Sequence, residues 1–491
     1  MRLVYFDIDT LRADHLGCYG YLRDTSPNID DLASGAVLFE NVYASDTPCL
    51  PSRSALISGR FGIRNGVINH GGAAADPLTE GRTRKFQTRL AETSWPRIMR
   101  GAGMSSATIS TFGERHSAYH WYAGFNEVYN LGLMGYETAD QVSQVAIDWL
   151  RRNGRNEDWF LHVHFWDPHM PYRTPGEFGD PFADRDAPDW ITEEVRSAHW
   201  ALPGPHSAQE VTGYGPEQRW QGRYPRQPEQ IDSLDQVRKM FDGYDTGVRY
   251  ADHHIGRILD EMAELRIFDE AAVMVSSDHG ETLGELGIYC DHQTADLHTQ
   301  RVPLILRWPG ISGGRVDRGL YYQIDVAATV LELLGAEVPS EWDGRSFAQK
   351  FGSGLDAGRD HLVLSHAAWT VQRSVRFDDW LCIRTYHDAY HGLPDVMLFD
   401  VARDPHEQEN LAGKHSDIVE AALSRLNEWQ TRAMLNSGAG VDPLWTVIAE
   451  GGGWHARDRL PSYLERLRAT ERSDWADRLA SAHPGELGNS G

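Results

Sequence analysis

The feature that most constrains this chain is the alternation of short apolar runs with longer helical patterns. Leu3–Ile8, Ala107–Ser110, Trp159–Phe165, Ala271–Ser276 and Val302–Trp308 read as buried strands. Thr138–Arg152, Val237–Leu265 and Ile324–Leu334 read as helices between them. Strands that alternate with helices predict an α/β domain whose large, mixed, mostly parallel sheet is sandwiched by helices. In such sheets, ligands collect at the C-terminal ends of the strands. After about residue 357 the texture changes. His361–Ser365, Val371–Phe377, Trp380–Tyr386 and Met397–Val401 predict a small antiparallel sheet, followed by a helix over Ser416–Leu435. The expected division is therefore a catalytic α/β domain over 1–357 and a smaller C-terminal α+β domain over 358–491. Residues 173–230, rich in Pro, Gly and Trp, are expected to form an insertion or lid. Ser481–Gly491 is expected to fray.

With 491 residues, 41% of them hydrophobic, the chain can bury a large core. Lys plus Arg is 47 and Asp plus Glu is 71, a net charge of −24. That excludes a general binder of nucleic acid or anionic membranes, which would carry a basic face. Four cysteines exclude a disulfide scaffold. The N-terminal apolar run is broken by Asp7, so no signal peptide is read. No stretch approaches the roughly 20 apolar residues of a membrane span. The expectation is a cytoplasmic protein with neither a nucleic-acid nor a membrane partner.

Three segments carry chemistry. The first strand runs into Asp7-Ile8-Asp9-Thr10, and alternation puts Asp7 and Asp9 on one side of it. A carboxylate at a strand end is a hard-cation ligand, although Asp9 would equally cap a following helix. Asp278-His279-Gly280-Glu281 follows the strand Ala271–Ser276 and offers an oxygen and an imidazole to a metal, or simply a turn. Pro48-Cys49-Leu50-Pro51-Ser52-Arg53 holds its approach extended, with a helix able to begin just after. A helix N-terminus beside Arg53 would favour an anion or charged nucleophile at Cys49; a buried Cys in a Pro-rich turn is the plainer alternative.

The Cys49-Leu50-Pro51-Ser52-Arg53 segment resembles the Cys-x-Pro-Ser-Arg signature of type I sulfatases, in the alkaline phosphatase superfamily. Further matches follow in the family's order. They include Asp9–Gly17, Ser26-Pro27-Asn28-Ile29-Asp30, Pro168-His169-Met170-Pro171-Tyr172 and Asp278-His279-Gly280-Glu281. Then come Arg301–Ile305, Leu398-Phe399-Asp400 and Asp404–Leu411, so coverage runs to about residue 435. The resemblance implies an alkaline-phosphatase-like fold. It implies that a formylglycine-generating or sulfatase-maturing enzyme converts Cys49 to formylglycine, whose hydrate attacks sulfur. It implies metal ligands Asp9, Asp278, His279 and the converted Cys49 around one Ca²⁺. It assigns Arg53 to holding the hydrate and the cation-bound oxygens. His169 would contact the sulfate or the leaving oxygen. Members of the family range from monomers to tetramers, so it allows a homo-oligomer.

The sequence also departs from the pattern. Thr10 stands where many members have a second Asp, and Asp7 is a candidate to compensate, as a ligand or from behind one. His292 stands where the family has a sulfate-binding Lys; Asp291 beside it could raise its pKa and make it a pH-dependent substitute. Thr111 falls where another family Lys would be, with His116 and His120 as candidate replacements. Asn69-His70-Gly71-Gly72 could line the pocket. Trp190, Trp200 and Trp220 could stack on a sugar ring, or simply pack.

The implied function is a sulfuric ester hydrolase acting on a small sulfated substrate, preferably a sulfated sugar. The departures keep a phosphonate monoester hydrolase or phosphodiesterase of the same superfamily as the alternative. From another class, a non-catalytic calcium-dependent glycan-binding protein would carry an unmodified Cys49.

Overall fold

The computed structural model describes residues 1–80, 88–351, 353 and 358–487. The Arg2–Ile8 strand lies at the centre of an eight-stranded sheet, between Ala271–Ser276 and Trp159–Phe165. Beyond Trp159–Phe165 come Ser105–Ile109 and Glu127–Tyr129. Beyond Ala271–Ser276 come Arg301–Arg307, Val37–Tyr43 and Arg315–Tyr322. Arg301–Arg307 runs antiparallel to both neighbours, and every other pairing is parallel.

Alternation along the central strand divides the core. Val4, Phe6 and Ile8 face one apolar layer, with the long helix Leu234–Glu264 and the helix Ala139–Asn153. Leu3 and Tyr5 face the other, with the helices Cys49–Ser58 and Gln323–Leu333. Both faces are covered, which is why these strands read as nearly continuous apolar runs. In register, Asp7 pairs with His164 on one side and Ser276 on the other. The next residues of three adjacent strands therefore emerge together, and these are Asp9, the turn around His169, and Ser277-Asp278-His279.

The second sheet runs Val396–Asp400, Trp380–His387, Val371–Phe377, Leu362–His366, Asp46–Thr47. Its first three pairings are antiparallel, and the last is parallel. Asp46–Thr47 immediately precedes Cys49, so the second sheet anchors the approach to that residue. The helix Ser416–Leu435 packs Ala422 and Leu426 on Val363, Val375 and Leu398. The expected boundary at 357 falls outside the described residues.

Three further helices, Pro443–Ala449, Leu460–Ala469 and Ser473–Ala482, were not expected from the sequence. The tail does not fray through 487. His483 bridges Asp388 and Glu486 at 2.8 and 3.0 Å, which anchors the stretch 483–486 to the C-terminal domain. Residues 173–230 form the helix Glu193–Trp200 and irregular turns, and bury Ile191, Ala208 and Val211 in the main core. Among the described residues, no helix is long and apolar enough to cross a membrane.

Candidate active site

Cys49 opens the helix Cys49–Ser58, every residue of which is buried. Its thiol lies 3.1 Å from His279 Nε2. Asp9, Cys49, Asp278 and His279 each present one donor atom, all within 4.8 Å of one another. His279 Nδ1 donates to the Gly280 carbonyl at 2.8 Å, which leaves Nε2 with a free lone pair facing the cluster. Asp278 Oδ1 accepts from the His279 and Thr10 amides at 3.0 and 3.3 Å. The Thr10 amide points there because Thr10 adopts φ 58°, a left-handed conformation costly for a β-branched residue. Tyr244 fixes that turn by donating to the Thr10 carbonyl at 2.7 Å.

Arg53 is fully enclosed. It reaches Asp7 at 3.1 Å and Asp9 at 3.1 Å, contacts Asp278, and stacks 5.0 Å over Phe112. Three buried carboxylates thus meet one guanidinium. That leaves two negative charges uncompensated in a dry site, a heavy cost unless a cation joins them. Asp9 Oδ1 is buried with no hydrogen-bond donor. The donor set therefore fits a divalent cation bound mainly through oxygen. Asp7 is not in the four-residue cluster. It sits behind Arg53, and its Oδ2 also meets His162 at 3.2 Å.

The electrostatics follow from burial. Desolvation outweighs Arg53 and lifts the Asp278 carboxyl to about 6. Desolvation also opposes the charge on Asp9, but Arg53 and His164 hold its carboxyl well below the usual range. Burial, then Asp9 and Asp278, push the Cys49 thiol well up. A thiol so protonated is a poor nucleophile.

His169 and His292 stand beside the cluster. His292 lies 4.3 Å from the His279 ring and 5.4 Å from the His169 ring, centroid to centroid. His169 Nδ1 contacts the Met170 carbonyl, so Nε2 is the atom free for a ligand. Burial lowers the His169 pKa to about 3. For His292 the structure reverses the expectation. Asp291 does pull its pKa up, but burial and the neighbouring His279 outweigh it and hold the ring neutral.

Thr111 is closed off. It contacts Glu137, accepts from Trp166 Nε1 at 3.1 Å, and is fully buried. His116 stacks on Phe112 at 5.0 Å and keeps a buried Nε2 without a partner. His120 is used by Ser54 Oγ at 2.8 Å. Trp190 lies flat on His406 of the C-terminal domain at 4.2 Å, and Trp220 packs on Tyr224 within the insertion, so both rings are engaged in packing. Trp200 is half-buried against the main core.

Sequence reasoning passes over Arg115. It follows Thr111 by one helical turn, lies 5.0 Å over the Trp166 ring, and donates to the Met134 carbonyl at 3.1 Å. Among the described residues no carboxylate pairs with it, and its charge is felt at Cys49, His116 and His169. No motif marks it; the signal is an arginine without an acid, visible only in three dimensions.

Known proteins match this chain along nearly its whole length. The sulfatase family profile matches residues 2–336, and that of the C-terminal part of N-sulphoglucosamine sulphohydrolase matches 284–432. An N-acetylglucosamine-6-O-sulfatase of Bacteroides thetaiotaomicron is 22% identical, over 84% of this chain and 83% of its own. The human N-acetylgalactosamine-6-sulfatase is 26% identical, over 85% and 83%. A protein solved with its substrate D-glucosamine-2-N,6-O-disulfate superposes with TM-score 0.70 at 18% identity, covering 89% of this chain and 98% of that one. The phosphonate monoester hydrolase of Silicibacter pomeroyi superposes with TM-score 0.65 at 20% identity, covering 91% and 97%. The fold, the ordered motifs and the family match over more than half the chain agree, and the chain belongs to the sulfatases, the sulfuric ester hydrolases of the alkaline phosphatase superfamily.

Proposed function

We propose that this sulfatase cleaves the sulfate monoester of a sugar or small glycan, with residue 49 acting as formylglycine and Ca²⁺ as the cation. The observation that carries the reading is the buried Asp9–Cys49–Asp278–His279 cluster, with its excess of carboxylates over the one guanidinium of Arg53. Cys49 opens a fully buried helix, its thiol 3.1 Å from His279 Nε2, where a nucleophile is needed, and its place in the family's Cys-x-Pro-Ser-Arg signature favours its conversion by a formylglycine-generating or sulfatase-maturing enzyme.

Asp9, Asp278, His279 and converted residue 49 would hold the cation. When bound, it would lower the pKa of a hydrate hydroxyl and neutralise sulfate oxygens. One hydroxyl of the hydrate attacks sulfur as the bond to the alcohol breaks. The second hydroxyl then loses its proton, the carbon–oxygen bond to sulfate breaks, and the aldehyde returns. Arg53 orients the hydrate through its rigid fork. His169 offers Nε2, and His292 its ring, to the sulfate and the leaving oxygen. Both are neutral without substrate, and an entering anion raises their affinity for a proton.

The sugar preference is supported by the relatives' named substrates and by the imidazole-rich surroundings. The net charge of −24 gives little long-range attraction for polyanions, which favours small, singly or doubly sulfated substrates. Thr10 in place of a second Asp, together with the similarity to a phosphonate monoester hydrolase, favours a second reading on phosphorus esters. Comparing kcat/KM for an aryl sulfate, a phenyl phosphonate and a phosphodiester separates them. The sulfate ester is expected to lead, and a lead by either phosphorus ester overturns the sulfatase reading.

A further inference from the structure

The stretch Trp454-His455 lies beyond both matched family regions, yet it reaches the catalytic face. The Trp454 amide donates to Asn69 Oδ1 at 3.2 Å, and the Trp454 indole lies so close over Gly71 that a β-carbon there would meet it at 2.2 Å. The His455 amide donates to the Ala368 carbonyl at 3.1 Å. His455 Nε2 meets His70 Nδ1 at 3.0 Å, and its ring stacks on Trp369 at 4.7 Å.

These contacts link the C-terminal segment to the catalytic cluster in two directions. From His455 one path runs through Trp369 to His206, 5.5 Å away centroid to centroid. His206 Nε2 holds Asp291 at 2.9 Å, and Asp291 Oδ1 accepts from the His292 amide at 2.8 Å. In the other direction His455 leads to His70, then to His116 at 4.8 Å, which stacks on the Phe112 that covers Arg53. Four segments distant in sequence therefore meet beside the cluster: the loop around residue 70, the insertion at 206, the turn at Trp369 and the C-terminal segment.

That junction is unsatisfied. Asn69 Nδ2, His70 Nε2 and His206 Nδ1 are buried polar atoms without hydrogen-bond partners, and Asn69 and His206 are 0% and 5% exposed. Asn69 Oδ1 accepts from both the His70 and Trp454 amides, so the orphaned atom of that side chain is its donor. Each such atom is costly to bury until a partner arrives. We propose that His70, His206, Trp369 and His455 form the leaving-group side of the active site, and that it receives the hydroxyls of an uncharged sugar ring. A hydroxyl both donates and accepts, so it satisfies an imidazole in either tautomer. An aryl ring satisfies none of these atoms. A uronate would bring its carboxylate towards Asp291.

This inference rests on the proposed sulfatase reading, and it is tested by binding so that the two can fail separately. Calorimetry on the cation-supplemented Cys49→Ala protein would compare N-acetylglucosamine 6-sulfate, galactose 6-sulfate, iduronate 2-sulfate and 4-nitrophenyl sulfate. The neutral sugar sulfates are expected to bind at least tenfold tighter than the other two. Adding His455→Ala is expected to erode that advantage at least tenfold, and His455→Gln, which can still donate and accept, to restore most of it. Equal loss for the sugar and aryl sulfates, no loss at all, or tighter binding of the uronate or the aryl sulfate overturns the proposal. Unchanged melting temperatures exclude unfolding as the cause. Failure of the sulfatase reading would appear elsewhere, as absent aryl sulfate turnover by the matured enzyme.

Discussion

Arg53 shows how much one residue carries. It is buried against Asp7, Asp9 and Asp278, and its planar fork offers five donors in a fixed geometry where a lysine offers three from one point. Arg53→Lys is expected to lower kcat by roughly 10²-fold or more, read in steady-state kinetics. Cys49→Ala is expected to lower turnover by roughly 10⁴-fold with the melting temperature unchanged; wild-type turnover would refute the nucleophile. His292→Ala is expected to impair sugar sulfates more than 4-nitrophenyl sulfate, because the poorer leaving group needs the proton more. An equal loss would reduce His292 to anion binding. For Arg115→Ala the expected result is a KM about tenfold higher with a smaller change in kcat, the loss of an unpaired cation beside the anion. Asp9, Cys49, Arg53, Asp278 and His279 were legible because each falls in a short motif at a strand or helix end. Arg115 was not, because its character lies in a missing partner. The neutrality of His292 was not, because burial, which outweighs Asp291, cannot be read from neighbours in sequence.

At the scale of elements, legibility followed coverage. Trp159–Phe165, Ala271–Ser276 and Val371–Phe377 were read with their observed bounds because both faces are buried. Val37–Tyr43 and Arg315–Tyr322 were missed. They lie at one side of the sheet and carry half-exposed Glu40, Asn41, Arg315 and Asp317, so their apolar signal is broken. The C-terminal helices were missed because each is only seven to ten residues long, too short for a clear helical period, and two of them are interrupted by charged residues. Their anchoring gives a pH prediction. Burial opposes the charge on His483, but Asp388 and Glu486 outweigh it and raise its pKa from 6.5 to about 9. A folded-state pKa above the unfolded value stabilises below pH 6.5, and that stability is lost as pH rises towards 9. The loss is expected to be about 1–2 kcal/mol after screening. Thermal melts of wild type and Glu486→Gln should therefore differ at pH 6 and converge by pH 9; a constant difference contradicts the linkage.

At the scale of the whole molecule, the net charge of −24 is mostly surface, while the charge that matters chemically is the small excess buried at the strand ends. Chelation is expected to lower the melting temperature, and added Ca²⁺ to restore it, since a ligand at 100–1,000 times its Kd stabilises by about 3–4 kcal/mol. Cation-independent melting would contradict the fit of the donor set. The central claim, that residue 49 is the converted nucleophile of a sulfatase, is tested most directly by peptide mass spectrometry across residues 47–53 of protein from its native host, joined to an aryl sulfate assay on the same sample. The account predicts a peptide lighter by the replacement of a thiol with an aldehyde, and turnover in proportion to the converted fraction. An unmodified Cys49 with no turnover would contradict it and favour a glycan-binding protein. Turnover from the unmodified protein would contradict the nucleophile itself.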